Sequence, residues 1–516
     1  MGEVFYVTTP IYYVNDEPHI GTAYTTVVAD VIARWQRMKG REVFFLTGTD
    51  EHGQKVAQAA AEKNESPQAW VDEMVPRFTD TWKLLNISND DFIRTTQNRH
   101  TRVAQLFIEK LQKSGDVYLG AYEGWYCIHD ESFLLSSQLA EGACPDCRRP
   151  VEWVKEENYF FRLSKYADAV LRHIEENPSF VQPEVRRNEV MSFIRSGLTD
   201  QSISRTSFTW GIPLPFDASH VMYVWFDALL NYISAIDYGT DQTRFDRTWP
   251  ADWHLVGKEI LRFHAVIWPA MLMAAGLPLP EHVFAHGWLT VEGQKMSKSL
   301  GNVVRPADLV DEFGLDAYRY YFLREFSFGL DGNFSRRTML KRYNAELAND
   351  LGNLESRVLT MVEKYREGVV PEPGVPGAEE NRLREGADSL LKVLEDRMES
   401  LAFNEALAEI WEYIHAINRY VDVSAPWALA KEKGREADLD RVLYNSLEGL
   451  RLVSIFISPF MPDAAAKIYE RIGIAEPLSD ARLPASGAWG LLPRGVKTSR
   501  AEAIFPRKME GATEGN

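Results

Sequence analysis

At 516 residues the chain is too long for one hydrophobic core, and roughly two to four domains are expected. Its 45% hydrophobic and 25% charged residues are those of an ordinary globular enzyme, and no run of about 18 apolar residues exists to span a membrane. The formal net charge of −17 has the wrong sign for a protein that coats nucleic acid nonspecifically, but permits a specific RNA contact through a local basic face.

The first nine residues run straight into a strand-like segment, with no basic region, apolar core and cleavage site, so export is not expected and the cytoplasm is the default location. Residues 4–9 read as a buried strand. Tyr24, Val27, Val28, Val31, Ile32 and Trp35 then recur at helical spacing, and Gly40 ends that helix. Residues 43–47 form the next strand, which completes a strand–helix–strand unit of the doubly wound kind. Further helix is expected over 67–85 and 101–114. From 118 to 222 the pattern is irregular and turn-rich, and it carries all three cysteines. Alternating units resume at 223–235 and 253–274. After Ser335 the pattern is almost wholly helical, with a Pro/Gly break from 368 to 377, and the tail from Glu510 is small, polar and expected to be disordered.

The expected fold class is therefore α/β: a doubly wound, Rossmann-like parallel sheet, an insertion that interrupts it, and an α-helical bundle behind it. The expected boundaries are 1–117 and 223–290 for the two halves of the sheet domain and 118–222 for the insertion. A loop-bearing segment over 291–345, the helical domain over 346–508 and a tail over 509–516 complete the division.

Pro18-His19-Ile20-Gly21-Thr22 sits just before the first helix. A helix start offers unpaired N–H groups and the positive end of the dipole, so anions bind there, and Gly21 permits close approach. Taken alone, His19 suits a structural role equally well. The second cationic piece is Lys295-Met296-Ser297-Lys298-Ser299, bracketed by Gly293 and Gly301. Two ammonium groups and two hydroxyls on such a loop suit a clamp that stabilises the charge of a leaving pyrophosphate, although an isolated pair of lysines would read as a solvated basic loop.

Together the two pieces resemble the HIGH and KMSKS signatures of class I aminoacyl-tRNA synthetases. The second match is complete. In the first, Thr22 stands where the family has its second histidine. Further segments resemble the methionyl-tRNA synthetase family: Pro10-Ile11-Tyr12-Tyr13-Val14-Asn15, Thr49-Asp50-Glu51-His52-Gly53, Tyr223-Val224-Trp225-Phe226-Asp227-Ala228, Gly257-Lys258-Glu259 and Phe263-His264 through Trp268-Pro269. The likeness runs from about residue 4 to at least Trp427. It implies activation of L-methionine with ATP and Mg2+ through an adenylate, followed by acyl transfer to initiator and elongator tRNA(Met).

By the same resemblance His19, Thr22, Lys295 and Lys298 stabilise charge at the phosphates. Gly21, His52, Gly257, Lys258, Glu259, Met296, Ser297 and Ser299 lie on the ATP side. The methionine pocket would be Ile11, Tyr13, Trp225, Ala228, Tyr232, Phe263, His264 and Trp268, with Asp50 on the substrate ammonium. A polarizable thioether favours aromatic walls, and a Tyr or His donor can approach its sulfur. Leu229 stands where the family often has proline. An insertion of this length is too short for a large editing domain of the kind needed where one methylene discriminates by only roughly 10–200-fold.

Cys127, Cys144 and Cys147 are too few and too clustered for a disulfide framework. With Asp130 they give the spacing C-x2-D followed by C-x2-C, a ligand set suited to one structural Zn2+. The family often carries such a knuckle, with Cys where this chain has Asp130. His129 is the rival fourth ligand, and three clustered thiols without metal remain the alternative. Arg336, Arg337, Lys341 and Arg342 cluster at the head of a predicted helix and suit tRNA phosphates. In the family Asn353, Arg357 and Trp427 read the CAU anticodon, the tryptophan by stacking on an unpaired base. No DNA or membrane partner is expected, and a monomer is expected because no dimerisation appendage is recognised after Pro506. Two other readings stay open: a ligase that joins an activated amino acid to a small amine, and an inactive RNA-binding paralogue.

Overall fold

The computed structural model describes residues 3–128, 132–134, 136–145, 147–296 and 301–509. The chain divides into two compact units, Met1–Ala29 with Glu42–Trp288 and Asp30–Arg41 with Leu289–Asn516. No helix of the described residues is long and apolar enough to cross a membrane.

The first unit is built on a parallel sheet of six strands in the order Asp91–Arg94, Val43–Asp50, Phe5–Tyr13, Trp253–Gly257, His282–His286 and Val181–Gln182. Strands buried on both faces read as near-continuous apolar runs, and here Phe5, Tyr6, Val7, Phe45, Leu46, Leu255 and Val256 are all buried. The helix Ile20–Met38 follows the first strand and is fixed by Ala23, Val27, Val28, Val31 and Ile32; Gly40, at φ 80°, takes the left-handed conformation just beyond its end. Strand order reverses between Phe5–Tyr13 and Trp253–Gly257, so the crevice at their carboxyl ends is the switch point where α/β sheets bind ligands. Pro10 has no N–H to give the ladder, and the register of the first strand against the second shifts between Thr8 and Ile11. That irregularity re-aims Ile11 and Tyr13 as the strand reaches the crevice.

Three expectations need correction. Residues 223–235 do not resume the sheet: they form two short helices, Val224–Leu229 and Asn231–Ser234, which bury Phe226, Leu229, Leu230 and Ile233 at helical spacing. The sheet resumes only at Trp253. The helix Gln54–Glu62 was not expected, its apolar face being only Val56 and Ala60. Finally, Val181–Gln182 lies inside the span expected to interrupt the sheet, yet pairs with His282–His286 as an edge strand. The helices flanking it, Ala167–Glu176 and Glu184–Arg195, add Val170, Ile174, Val190 and Ile194 to the main core. The antiparallel sheet of the insertion comprises Ser132–Leu134, Val117–Cys127, Glu152–Phe161 and Gln201–Ser202 in that order.

The second unit opens with a small sheet whose central strand, Leu289–Val291, pairs with Gln294–Lys295 and Gly332–Phe334. Helices follow as expected, including Asn353–Arg366, Ala378–Glu399, Phe403–Ser424 and Glu436–Ile457, and the expected break falls between the first two. A ten-residue π-helical stretch, Tyr343–Gly352, leads into Asn353–Arg366. Two buried charges organise this unit. Arg319 donates to Asp30 Oδ2 at 2.6 Å and to the carbonyls of Phe460 and Pro459. Glu448 receives both arms of Arg451 and the backbone amides of Gly490, Leu491 and Leu492. A buried ion pair is tolerated when its remaining lone pairs are satisfied in this way.

Candidate active site

His19 stands at the start of the helix Ile20–Met38, beyond the end of the first strand. The Gly21 amide donates to its Nδ1 at 3.0 Å. In the neutral ring Nδ1 therefore has no proton, and Nε2–H is the donor. Burial lowers the pKa of His19, against the opposing pull of Asp16 and Glu259, which favours that neutral form. Thr22 does not reach outward with its donor. Its hydroxyl accepts from the His19 amide at 2.9 Å and donates to the His19 carbonyl at 2.7 Å, and Tyr12 donates to the Thr22 carbonyl at 3.2 Å. Where the family signature has a second imidazole, this chain has a residue that fastens the first.

Across the switch point, Gly257 ends its strand. A Cβ there would lie 2.3 Å from Glu259 Oε1, so glycine is what lets that carboxylate fold back. Glu259 Oε2 accepts from the Trp288 indole at 2.8 Å, and the Lys258 ammonium sits 4.1 Å from the centre of the Trp288 ring. His286, at the end of its own strand, donates from Nδ1 to the Gly287 carbonyl at 2.8 Å and takes the Thr25 hydroxyl on Nε2 at 2.6 Å. Neither His286 nor Trp288 was singled out in the sequence. The signal was their place just before the lysine loop, at a strand end.

Beside this corner lie the residues expected to hold methionine. Tyr13 and Asp50 are register partners at the ends of adjacent strands, and Asp50 is only 3% exposed. Trp225 and Phe263 stack face to face, with centroids 3.8 Å apart and planes 9° from parallel. The Trp225 Nε1 is buried and has no hydrogen-bond partner among the described residues. Phe263 begins a π-helical turn, Phe263–Ile267, a local widening often found at functional sites. Behind them Ala228, Tyr232, His264 and Trp268 are buried, and Ile11 packs on the same core.

The hydrogen bonds here fix the polarity of the inner two polar residues, Tyr232 and His264. The Ile260 carbonyl can only accept, so His264 Nδ1 carries the proton they share at 3.0 Å. Burial lowers the His264 pKa to about 4, so Nε2 is bare and takes the Tyr232 hydroxyl proton at 2.7 Å. The Tyr232 hydroxyl and the His264 Nδ1–H are thus both used by protein partners. His254, unsuspected in the sequence, completes the wall: its Nε2 accepts from the Trp268 indole at 3.2 Å, its Nδ1 donates to Thr8 at 2.7 Å, and its ring lies 4.2 Å from that of Tyr232.

His52 follows the second strand and is almost buried. Its Nδ1 lies 2.6 Å from Asp227 Oδ2, and Asp227 Oδ1 lies 2.6 Å from His100 Nε2. Burial pushes the Asp227 carboxyl upward, but the two imidazoles outweigh it and hold the pKa at about 2. Sequence reading quoted Asp227 only as part of a motif and missed His100 and Trp210. Nothing in local pattern links residues so far apart in the chain.

In the second unit, the hairpin between Leu289–Val291 and Gln294–Lys295 turns on Glu292 and Gly293, both at positive φ, 48° and 81°. Positive φ at both turn positions is the type I′ turn of tight hairpins. Asn333 Oδ1 accepts the Gly293 amide at 2.6 Å, which ties the turn to the neighbouring strand. Lys295 is exposed at the end of the hairpin and Met296 follows; Ser297, Lys298 and Ser299 lie outside the described residues. Arg337 and Lys341 are exposed, whereas Arg336 pairs with Glu312 and Arg342 with Glu325 and Glu346. The expected basic face is therefore partly neutralised by its own unit.

Cys127, Cys144 and Cys147 place their sulfurs within 4.8 Å of one another, with Cys127 and Cys147 3.6 Å apart. That is far beyond a disulfide bond of about 2.0 Å and close to the roughly 3.8 Å edge of a tetrahedron with Zn–S near 2.3 Å. The donor set fits a metal with a preference for thiolates. The Cys144 carbonyl accepts the Arg148 amide at 3.0 Å, closing the knuckle turn. His129 and Asp130 lie outside the described residues, as does the tail from Glu510.

Asn353 and Arg357 share one face of the helix Asn353–Arg366. Arg357 donates to Asp422 at 2.6 Å. Trp427 stands in the short helix Pro426–Leu429 and is 41% exposed, beside Val423 at 72%. That exposure leaves the Trp427 side chain accessible from solvent.

The model for class I tRNA synthetases (M) matches residues 5–152 and 148–359, and that for the anticodon-binding domain of methionyl tRNA ligase matches 370–514. The chain is 53% identical over 508 residues to the methionine–tRNA ligase of Caldanaerobacter subterraneus subsp. tengcongensis, covering 98% of this chain and 79% of that one. It is 50% identical over 507 residues to the Thermotoga maritima enzyme of the same name, covering 98% and 80%. The fold superposes with a TM-score of 0.94 on Mycobacterium tuberculosis methionyl-tRNA synthetase in complex with methionyl-adenylate, at 44% identity over 98% of this chain and 100% of that one. Through these matches, and the convergence of strand-end residues at the switch point, the chain belongs to the methionyl-tRNA synthetase family of class I aminoacyl-tRNA ligases.

Proposed function

We propose that the chain is a methionine–tRNA ligase that converts L-methionine and ATP to methionyl-adenylate and pyrophosphate, then transfers methionine to the 3′-terminal ribose of initiator and elongator tRNA(Met). The observation that carries this reading is the gathering, at the ends of neighbouring parallel strands, of a carboxylate, an aromatic pocket and a helix-start imidazole, in a chain about half identical to such ligases over 98% of its length.

Asp50 holds the substrate ammonium, and Ile11, Tyr13, Trp225, Ala228, Tyr232, Phe263, His264 and Trp268 enclose the side chain. One oxygen of the methionine carboxylate attacks the α-phosphorus of ATP, the bond to the bridging oxygen breaks, and pyrophosphate leaves. His19 Nε2–H donates to phosphate oxygen, and Lys295 and Lys298 offset the charge that builds on the leaving group. Gly21, His52, Gly257, Lys258, Glu259 and the rest of the 295–299 loop line the nucleotide side; Thr22 acts through His19. A bound Mg2+ would neutralise further phosphate charge. A ribose hydroxyl of the tRNA then attacks the acyl carbon and AMP departs. No step requires a covalent enzyme intermediate.

Cys127, Cys144 and Cys147 would hold one structural Zn2+ with Asp130 or His129 as the fourth ligand. Asn353, Arg357 and Trp427 read the anticodon from the helical part, residues 346–508. A cytoplasmic location goes with this reading.

ATP–pyrophosphate exchange run with each amino acid in turn tests the reading. Methionine alone should drive fast exchange, and tRNA(Met) should then be charged. Exchange driven instead by leucine or cysteine overturns the specificity. Exchange without tRNA charging favours the small-amine ligase, and no exchange at all the inactive paralogue.

A further inference from the structure

The candidate site contains a buried carboxylate with no role so far. Asp227 is fully enclosed, and each of its two oxygens meets one imidazole, His52 Nδ1 and His100 Nε2, both at 2.6 Å. His100 is itself fully buried and its Nδ1 lies 2.8 Å from the Ser234 hydroxyl. From the other side Trp210 grips all three residues after the second strand. Its indole donates to the Glu51 carbonyl at 2.6 Å, its carbonyl accepts the Gly53 amide at 3.2 Å, and its ring meets that of His52 edge-on at 5.4 Å.

We propose that Asp227, His100 and Trp210 are positioning residues that hold His52 in one tautomer and one orientation, with Nδ1–H turned inward and Nε2 left as an acceptor on the nucleotide side. The proposal rests on the reading of His52 as an ATP-side residue. A carboxylate can only accept, so the proton shared with Asp227 belongs to His52 Nδ1, and whenever the ring carries a single proton the lone pair is on Nε2. A single imidazole would leave the second Asp227 oxygen buried without a partner. His100 supplies that partner and stops the carboxylate from turning, and Trp210 blocks rotation of the His52 ring. His19 is set the opposite way, since the Gly21 amide occupies its Nδ1 and leaves Nε2–H to donate. The nucleotide corner is thus given one imidazole donor and one imidazole acceptor, each with its polarity fixed by a bond to the other nitrogen.

The test measures KM for ATP, KM for methionine and kcat in pyrophosphate exchange, together with the thermal midpoint. His100→Ala should raise KM for ATP about 10- to 100-fold, the scale of a small displacement of a binding group, and leave KM for methionine within about twofold. His100→Gln, whose amide reaches the Asp227 oxygen, should restore most of the loss. His52→Asn keeps a donor where Nδ1 was but has nothing at Nε2, so it should lose as much as His52→Ala. Trp210→Phe, which keeps an aromatic ring but loses the indole donor and part of the ring's bulk, should give a smaller rise in the same constant and serves if His100→Ala does not fold. Raised KM for ATP in His52→Asn with normal kinetics in His100→Ala and Trp210→Phe overturns the positioning role and leaves the role of His52 standing. Unchanged KM for ATP in both His52 variants overturns that role, and the positioning of it as well.

Discussion

The Thr22 hydroxyl accepts from the His19 amide and donates to the His19 carbonyl, so one short side chain meets both backbone groups of His19. A helix-start hydroxyl used in this way contributes about 1 kcal/mol. Thr22→Val, which keeps the shape and removes both bonds, should slow methionyl-adenylate formation by about 10-fold at saturating substrate, while Thr22→Ser stays near the parent rate. Single-turnover measurement of adenylate formation decides it; parent-like rates for Thr22→Val would return the residue to a passive role.

Asp50 is a buried carboxylate beside Tyr13, and its charge is what an ammonium would seek. Asp50→Asn preserves size and loses the charge-assisted bond, which is worth about 1.5–3 kcal/mol. KM for methionine should rise by about 10- to 100-fold with KM for ATP little changed. A selective loss of ATP binding would move Asp50 to the other substrate.

Asp316 makes stability depend on pH. Burial raises its pKa to about 6, the largest influence, against the Ala464 amide bond that lowers it. Its folded pKa lies above its unfolded value, so the stability it contributes is complete below about pH 4 and is lost as pH rises through 6. The loss is of order 3 kcal/mol at most. Asp316→Asn should remove that dependence and match or exceed the parent above pH 6 in urea denaturation. An identical pH profile for the two proteins would refute the assignment.

Metal analysis of the purified protein should find about one zinc per chain, and Cys147→Ala should lose it together with several degrees of thermal midpoint. Pyrophosphate exchange at low temperature should survive, because the knuckle supplies no reacting group. Less than a tenth of an equivalent after mild purification argues for three metal-free thiols.

Trp427→Ala should cost about 1–3 kcal/mol in tRNA binding, read as a raised KM for tRNA in charging. Exchange without tRNA should be untouched, and the thermal midpoint should move little because Trp427 is already 41% exposed. Equal loss in both assays would point to packing.

The sheet and its helices were legible because strand-length apolar runs and a helical stripe such as Tyr24 to Trp35 are local signals. A helix start named His19 and a glycine-bracketed lysine pair named the loop, whereas Asp50 came only from the family resemblance. What escaped was set by distance or by length. The segment around Trp225 is an apolar run too short for periodicity to separate strand from helix, and Val181–Gln182 is a two-residue edge that only its partner strand defines. The polarity of each imidazole was also invisible. It follows from which backbone group or carboxylate sits opposite, as the Ile260 carbonyl does for His264 and Asp227 does for His52.

Glu448 draws three amides from residues 490–492 onto a carboxylate that has no access to water. The stretch beyond Ala488 is therefore no dispensable trailer of the helical part. A fragment cut at that point would strand an anion in an apolar interior with Arg451 as its main counterweight, and anyone expressing the RNA-reading half by itself should carry the chain past Leu492.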